Sequence, residues 1–570
     1  MKSLKKIWND IPNYFLCTVF AILEWFTLFY AMVEMYLPRR QMFPAVATFL
    51  FLTFSMIALY GLIGKLHISV IIHNAIVSLY GLIQYFAVQL RGTIFYMSDI
   101  YNLKTATNVA NNYSLKFDKH FWISFVCIVG ISCLAFLLKQ RKCKDIKKRI
   151  TTFCFGTIMT VASVGLMLFI EDTYSYNQYF NGYARNGYIY EFIGTMDVSL
   201  KEPDGYNTSD YKETIGVSYT DKMKELNPNV LIVMSESFID SDTYDFGETE
   251  DLMPFLHSLS KDTNCISGTL YSSVLGGMTS CMEFETLTGH SSYFSGNVVQ
   301  YTAYMRDGNK YGSLAHVFNE LGYATTAFHP YLKSGYNRQT AYKTMGFQNY
   351  VAIEDLKDAE KGLTIPGRPY VSDEYDYEKV MEIIKSTDER DFIMNITMQN
   401  HSVYVEEELT AIDKVTDTGI DSLDNYLYLL SLTDKATEQL ITDLKSFEEP
   451  TVVVFFGDHQ PREMVGYSQA TETSVYEVPY YIWANFDINT DIENTDITSA
   501  NFLAPIMFEA VWGQQPNGWY EYLMQLRNEY PVISQNAVFD INRNLVNTKL
   551  LDYEKKAYYA VWDQENKKGE

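Results

Sequence analysis

Four stretches of this chain run as short, apolar, strand-like segments straight into a residue that can bind a metal or move a proton. Residues 229–234 (NVLIVM) deliver Ser235 and Glu236, and residues 323–328 deliver His329. Residues 391–397, followed by Met398-Gln399-Asn400, deliver His401. Residues 451–456 (TVVVFF) deliver Gly457-Asp458-His459. A single histidine after a strand is usually a satisfied turn residue. Three of the chain's nine histidines occupy such ends, alongside two carboxylates. Glu, Asp and His offer the oxygen and nitrogen donors that suit Mn²⁺, Mg²⁺ or Zn²⁺. The expectation is a divalent-metal site where the four ends converge.

A nucleophile candidate lies in Leu275-Gly276-Gly277-Met278-Thr279-Ser280-Cys281-Met282-Glu283-Phe284. Two glycines permit close backbone approach to a ligand. They lead into Thr279-Ser280 and a helix start, where free N–H groups and the helix dipole favour a phosphate. A threonine hydroxyl coordinated by a metal becomes a usable nucleophile near neutral pH. On spacing alone, Thr279 reads equally well as a plain helix N-cap.

The elements that must position these residues follow from the pattern around them. From residue 228 onward, β-rich apolar runs alternate with amphipathic helical segments. That alternation predicts a mostly parallel central sheet covered by helices on both faces. In such sheets ligands sit beyond the carboxyl ends of the strands, where the four reactive residues fall.

The amino-terminal part is of another kind. Five stretches, about 13–36, 43–64, 67–90, 120–138 and 151–170, are apolar over the ~20 residues a spanning helix needs. The predicted organisation is a five-span membrane domain over 1–171, an aromatic interfacial connector and linker over 172–227, and an outer α/β domain over 228–570. Residues 1–170 hold about 17 Lys and Arg against about six acids, whereas the whole chain carries −24. The basic loop Lys139, Arg141, Lys142, Lys144, Lys147, Lys148, Arg149 is expected on the cytoplasmic side together with the amino terminus. It outweighs Arg39 and Arg40 in a short outer loop, and five spans then leave the catalytic domain outside. Glu24 and Glu34, in or near the first span, are candidate functional groups by their depth. The strongly acidic outer part argues against a nucleic-acid partner. Seven scattered cysteines, with only Cys265 and Cys281 in the outer part, give neither a disulfide framework nor a CxxC pair.

These motifs, in this order, resemble the lipoteichoic acid synthase family, membrane phosphoglycerol transferases of the alkaline phosphatase/sulfatase superfamily. NVLIVMSES (229–237) resembles the family's first metal-binding strand, with Glu236 as ligand. Gly276-Gly277-Met278-Thr279-Ser280 with Glu283-Phe284 resembles the nucleophile segment, with Thr279 as nucleophile. Phe328-His329 with Tyr336-Asn337-Arg338 resembles the segment that grips glycerol phosphate. Thr397 to His401 resembles the second substrate-histidine segment, and Gly457-Asp458-His459 the final metal motif. The family commonly has Lys where Met278 stands and Asp where Cys281 stands. It often has Trp at the place of Tyr336 and a polar residue at that of Tyr331. These departures fall on the acceptor and head-group side.

The resemblance implies a sulfatase-like fold and one metal, Mn²⁺ before Mg²⁺ or Zn²⁺, held by Glu236, Thr279, Asp458 and His459. It implies substrate contacts from His329, Tyr336, Arg338 and His401, with His401 also a general acid or base and Arg338 a clamp on the phosphate. The expected reaction moves glycerol phosphate from a phosphatidylglycerol-type lipid through a covalent threonine intermediate to a polymer or glycan acceptor. It would take place at a bacterial plasma membrane. A sulfatase would need Pro and Arg after its nucleophilic Cys or Ser, and Cys281 is followed by Met-Glu-Phe-Glu-Thr. Phosphoethanolamine transferases of the superfamily carry several disulfides in the outer domain, which has two cysteines here. A phosphodiesterase using the same residues, and an inactive membrane-anchored binding protein, are the remaining alternatives.

Overall fold

The computed structural model describes residues 12–32, 42–91, 95, 97–102, 117–139, 141–174, 187–194, 196, 200–211, 221–247, 250–296, 298–404, 409, 415–467 and 474–563. Glu34, Arg39, Arg40, the centre of the connector and the final charged tail lie outside the described residues. The chain divides into two compact units, Met1–Ile100 with Tyr113–Val198, and Tyr101–Asn112 with Ser199–Glu570.

The first unit is helical. Helices α1 (Asn13–Met32), α2 (Met42–Ile63), α3 (Leu66–Arg91), α4 (Lys119–Phe136) and α5 (Ile146–Tyr174) fall on the five apolar stretches, and a short α6 (Tyr188–Gly194) follows. Phe43–Ile63, Leu66–Ala87 and Ile146–Phe169 are long and apolar enough to cross a membrane; Asn13–Thr27 and Phe121–Phe136 are shorter apolar helices. Side-chain volume sets how closely α2 and α5 approach. A Cβ on Gly61 would sit 2.3 Å from the Phe153 nitrogen, and one on Gly156 would sit 2.4 Å from the Ala58 nitrogen. Small residues allow such backbone contact where no hydrophobic effect drives helices together. Glu24 is buried against His73, with Nδ1 to Oε2 at 2.6 Å, and the other imidazole nitrogen meets Ser55 Oγ at 2.8 Å.

The second unit is the predicted α/β domain. The strands of its main sheet and the helices that bear on the site are, in chain order, β1 (Asn229–Ser235), β2 (Cys265–Tyr271), α7 (Thr279–Thr288), β3 (Ala324–His329), α8 (Arg338–Thr344), β4 (Asn349–Ala352), α9 (Asp373–Ser386), β5 (Asp391–Ile396), α10 (Asp421–Lys445), β6 (Thr451–Gly457), β7 (Glu477–Ala484), β8 (Ile497–Thr498) and α11 (Leu503–Trp512). One sheet runs β4-β3-β5-β1-β6-β7-β2-β8. Pairing is parallel from β4 through β6 and antiparallel on both sides of β7. β1 and β6 are buried at every position, as strands covered on both faces must be, which is why they read as unbroken apolar runs.

Register brings the reactive ends together. Phe328 pairs with Asn395, Asn395 with Val233, and Ser235 with Gly457, so β3, β5, β1 and β6 terminate at one level. Alternate side chains feed two cores. Val230, Ile232 and Met234 pack on one face with α7 and α11, and Leu231 and Val233 on the other with α10. The carboxyl-terminal segment, for which the sequence suggests no chemistry, contributes Trp519, Tyr553 and Trp562 to the first core.

Candidate metal centre and active site

The residue after β1 and the two after β6 form one cluster. Ligand atoms of Glu236, Asp458 and His459 all lie within 4.8 Å of one another, and all three residues are buried. Backbone bonds join the strand ends that carry them. Asp458 N donates to Ser235 O at 3.1 Å, Thr397 N to Met234 O at 3.1 Å, and Phe238 N to His459 O at 3.0 Å. Asp458 Oδ1 accepts from the nitrogens of Ser237 (2.8 Å) and His459 (2.7 Å), which fixes its carboxylate.

The donor set fits a cation. His459 Nδ1 lies 3.1 Å from the Gln460 carbonyl, which can only accept, so Nδ1 carries the proton and Nε2 a lone pair. That lone pair faces Asp458 Oδ2 at 3.3 Å and Glu236 Oε1 at 3.7 Å. Asp458 Oδ2 and His459 Nε2 are buried without a hydrogen-bond partner among the described residues. Three electron-pair donors pointed at one another in a dry pocket repel unless a positive charge lies between them. Burial, and then the facing Asp458, push the Glu236 carboxyl above the usual carboxylate range. The set of two carboxylate oxygens and one imidazole nitrogen suits Mn²⁺ or Zn²⁺.

Thr279 opens α7 and is buried. The loop before it is tied to the same strand end. Ser272 Oγ donates to Asp458 O at 2.6 Å, and Gly276 N donates to Gln460 O at 3.1 Å. The glycines give this loop its turn, at φ +63° for Gly276 and +145° for Gly277. The helix cap is Met278, in the left-handed region at φ +66° with no side-chain cap bond. Thr279 is thus the first helical residue, and the N-cap alternative for it is corrected by one position. Its side chain does not serve as the cap.

His329 and His401 share one design. His329 Nδ1 donates to Ile396 O at 2.9 Å, and His401 Nδ1 to Ser402 O at 2.8 Å. Each ring therefore presents an unprotonated Nε2. Burial lowers the pKa of both, and the nearby Arg338 charge acts the same way.

Arg338 differs from the expected open fork. It is buried at the start of α8 and gives Nε to both oxygens of Glu283 (3.0 and 3.1 Å) and Nη2 to Oε1. Tyr336 stacks over the guanidinium at 5.2 Å. Only the Nη1 side remains for a phosphate.

Arg368 is a functional candidate that sequence reasoning missed. It donates to the carbonyls of Gln399 (3.0 Å), His401 and Val403 (2.5 Å), which holds the loop bearing His401. Nothing in Gly367-Arg368-Pro369 signals this, because backbone carbonyls leave no side-chain pattern. A second cluster, Asp242, Asp251 and His257, also has metal-ligand composition. There both ring nitrogens already face aspartates, Nε2 to Asp240 at 3.1 Å and Nδ1 to Asp251 at 2.8 Å. The ring is then a protonated imidazolium and acts as the cation itself.

Residues 228–511 match the Sulfatase family. A putative cyclic beta-1,2-glucan modification protein of Rhizobium meliloti is 28% identical over 341 residues, 53% of this chain and 49% of that protein. Lipoteichoic acid synthase 1 of Bacillus subtilis is 25% identical over 267 residues, 46% of this chain and 40% of that protein. The chain thus spans half the length, or less, of these curated relatives. Among solved structures, the Streptococcus pyogenes phosphoglycerol transferase GacH, in complex with sn-glycerol-1-phosphate, aligns with a TM-score of 0.47 at 22% identity, covering 65% of this chain and 97% of that one.

Proposed function

We propose, for a chain that is a lipoteichoic acid synthase-like member of the alkaline phosphatase superfamily, that it moves glycerol phosphate from a phosphatidylglycerol-type lipid to a hydroxyl of a polymer or glycan at the outer face of a bacterial membrane. The observation that carries this reading is the set of three mutually facing electron-pair donors on Glu236, Asp458 and His459, tied by hydrogen bonds from Ser272 Oγ and Gly276 N to the loop that leads into Thr279.

Glu236, Asp458, His459 and the Thr279 hydroxyl would hold one divalent ion, Mn²⁺ before Mg²⁺ or Zn²⁺. Such an ion lowers the hydroxyl pKa and offsets charge on the phosphoryl oxygens. Thr279 Oγ attacks phosphorus, the bond from phosphorus to the diacylglycerol oxygen breaks, and a glycerophosphoryl-threonine remains. The proton of Thr279 passes to the leaving oxygen, with His401 Nε2 as its carrier. In the second half the acceptor hydroxyl attacks phosphorus, the bond from phosphorus to Thr279 Oγ breaks, and the acceptor's proton returns by the same ring to that oxygen. Neutral His329 and His401 offer lone pairs, which suit the hydroxyl donors of glycerol. Arg338 Nη1 steadies a phosphate oxygen. The five helices keep the domain beside a substrate that stays in the bilayer, with the amino terminus and the loop 139–149 cytoplasmic.

The full chain in liposomes containing fluorescent phosphatidylglycerol and Mn²⁺ should release fluorescent diacylglycerol and retain labelled glycerol phosphate on Thr279 when no acceptor is added. Release from phosphatidylethanolamine in preference would assign the phosphoethanolamine reaction instead. Undiminished release by Thr279→Ala would reject the mechanism.

A further inference from the structure

A buried ion pair stands behind the nucleophile. Glu283 lies four residues after Thr279, on the same face of α7, and is fully buried. Arg338 and Tyr342 lie four apart on α8 and reach the same carboxylate. Arg338 uses Nε and Nη2, and Tyr342 Oη donates to Oε2 at 2.5 Å. A buried pair of this kind seldom stabilises a fold better than apolar side chains of equal volume, so its presence calls for another role.

The role follows from what is left over. The Nε–Nη2 edge of the guanidinium is occupied, Tyr336 covers one face, and Glu283 cancels the formal charge. Gly335 sits beside the remaining nitrogen; a Cβ there would lie 3.4 Å from Nη1. Arg338 nevertheless reaches the site, since its partner Glu283 lies one turn after Thr279 on α7 and its charge also acts on His329 and His401. The other cation acting on His401 is Arg368, which is turned to backbone carbonyls. Facing the substrate, His329 and His401 offer lone pairs and no N–H. A phosphodiester brings two non-bridging oxygens and one negative charge. A phosphomonoester brings a third oxygen and close to a second charge at neutral pH. That third oxygen would meet a lone pair, and Arg338, its charge offset by Glu283, would not balance it.

We propose that Glu283 determines specificity by neutralising Arg338 and occupying one edge of its guanidinium, so that the pocket takes phosphodiesters and rejects phosphomonoesters and free phosphate. This rests on the reading of Arg338 as a phosphate contact beside Thr279. It gives Glu283 a task apart from holding the helices together.

The test is a charge cycle in the full-length protein in detergent: wild type, Glu283→Gln, Arg338→Gln and the double variant. Two quantities are read. One is the turnover ratio of p-nitrophenyl phosphate to bis-p-nitrophenyl phosphate. The other is the calorimetric Kd for inorganic phosphate. E283Q should raise the monoester ratio and tighten phosphate about tenfold; R338Q should shift both about tenfold the other way, and the double variant should return near wild type. Equal-direction shifts in the two single variants, as general damage would produce, overturn the proposal, as does an unchanged phosphate Kd in folded E283Q. If E283Q fails to fold with its unpaired arginine, R338Q and the double variant still decide, because the double must recover what R338Q loses. Ester turnover that survives Thr279→Ala would instead strike at the parent reading, while the phosphate affinities would still judge Glu283.

Discussion

His459 Nε2 and Asp458 Oδ2 lie 3.3 Å apart and neither has a hydrogen-bond partner among the described residues, while the ring's Nδ1 is committed to the Gln460 carbonyl on its far side. Two adjacent residues of one strand end thus face each other as bases. The arrangement is explicable as a coordination site and poor as a hydrogen bond. The purified chain should therefore carry close to one divalent ion per molecule by elemental analysis. Glu236→Ala or His459→Ala should lower that content about 10-fold or more while leaving circular dichroism intact. Full retention of metal in both would remove the cluster from consideration.

Thr279 is the first residue of α7 and contributes nothing to its cap, so its loss should be felt in chemistry more than in stability. Thr279→Ala should cost about three orders of magnitude or more in turnover and leave the melting midpoint within a few degrees. Thr279→Ser keeps the hydroxyl and should retain part of the activity. The mass of a trapped glycerophosphoryl adduct should disappear in the alanine variant.

Arg368 acts through the backbone of its neighbour loop. It bonds three carbonyls between Gln399 and Val403 and lies over the rings of Tyr370 (5.1 Å) and Tyr404 (5.6 Å). Lysine has neither the planar fork nor the donor count to replace it. Arg368→Lys should lower kcat about 10- to 100-fold through misplacement of His401, with a smaller change in KM. Because the ring is set and not removed, the pH profile should keep its shape. A variant with wild-type kcat would show that the His401 loop holds itself.

Much of this was legible beforehand, for a definable reason. Buried parallel strands such as β1 and β6 leave unbroken apolar runs, and the residue following each run lands on the ligand side of the sheet by topology alone. Glu236, Asp458 and His459 could be read that way. What escaped depends on contacts distant in sequence. The Glu283–Arg338 bond spans 55 residues, and no local pattern marks a guanidinium turned toward a carboxylate instead of toward substrate. The bonds from Arg368 to Gln399, His401 and Val403 go to backbone carbonyls, which every sequence has. The cap at Met278 was missed because a left-handed methionine is costly and is tolerated only where surrounding structure fixes it.

The basic loop between α4 and α5 yields a prediction with a native reporter. Cys143 lies among Lys139, Arg141, Lys142 and Lys144 and is partly exposed. With that loop cytoplasmic, a membrane-impermeant maleimide should leave Cys143 unlabelled in intact cells and modify it after permeabilisation. Labelling from outside would invert the proposed orientation.

His257 gives a pH dependence whose sign is fixed by its contacts. The ring lies between Asp240 and Asp251, and the hydrogen bond to Asp240, then that to Asp251, raises its pKa to about 9 against the opposing effect of burial. A cationic group whose folded pKa is raised adds stability that is complete below its unfolded value near 6.5 and is lost as pH climbs through about 9. Its aspartates are partly exposed, so solvent screening reduces the contribution to on the order of 1 kcal/mol. Thermal unfolding of the full-length protein in detergent should therefore show a midpoint that falls between about pH 6.5 and pH 9.5. In His257→Gln the neutral amide cannot titrate, so this component of the slope should flatten while the midpoint at low pH drops toward the wild-type value at high pH. Addition of Ca²⁺ or Zn²⁺ should leave the wild-type slope unchanged, because a ring that already holds both protons has no lone pair to offer. Either ion bound at the Glu236–Asp458–His459 centre would raise wild type and His257→Gln alike, so a midpoint raised in wild type and not in His257→Gln would mean that the ring sheds a proton to bind metal and that the imidazolium assignment is wrong.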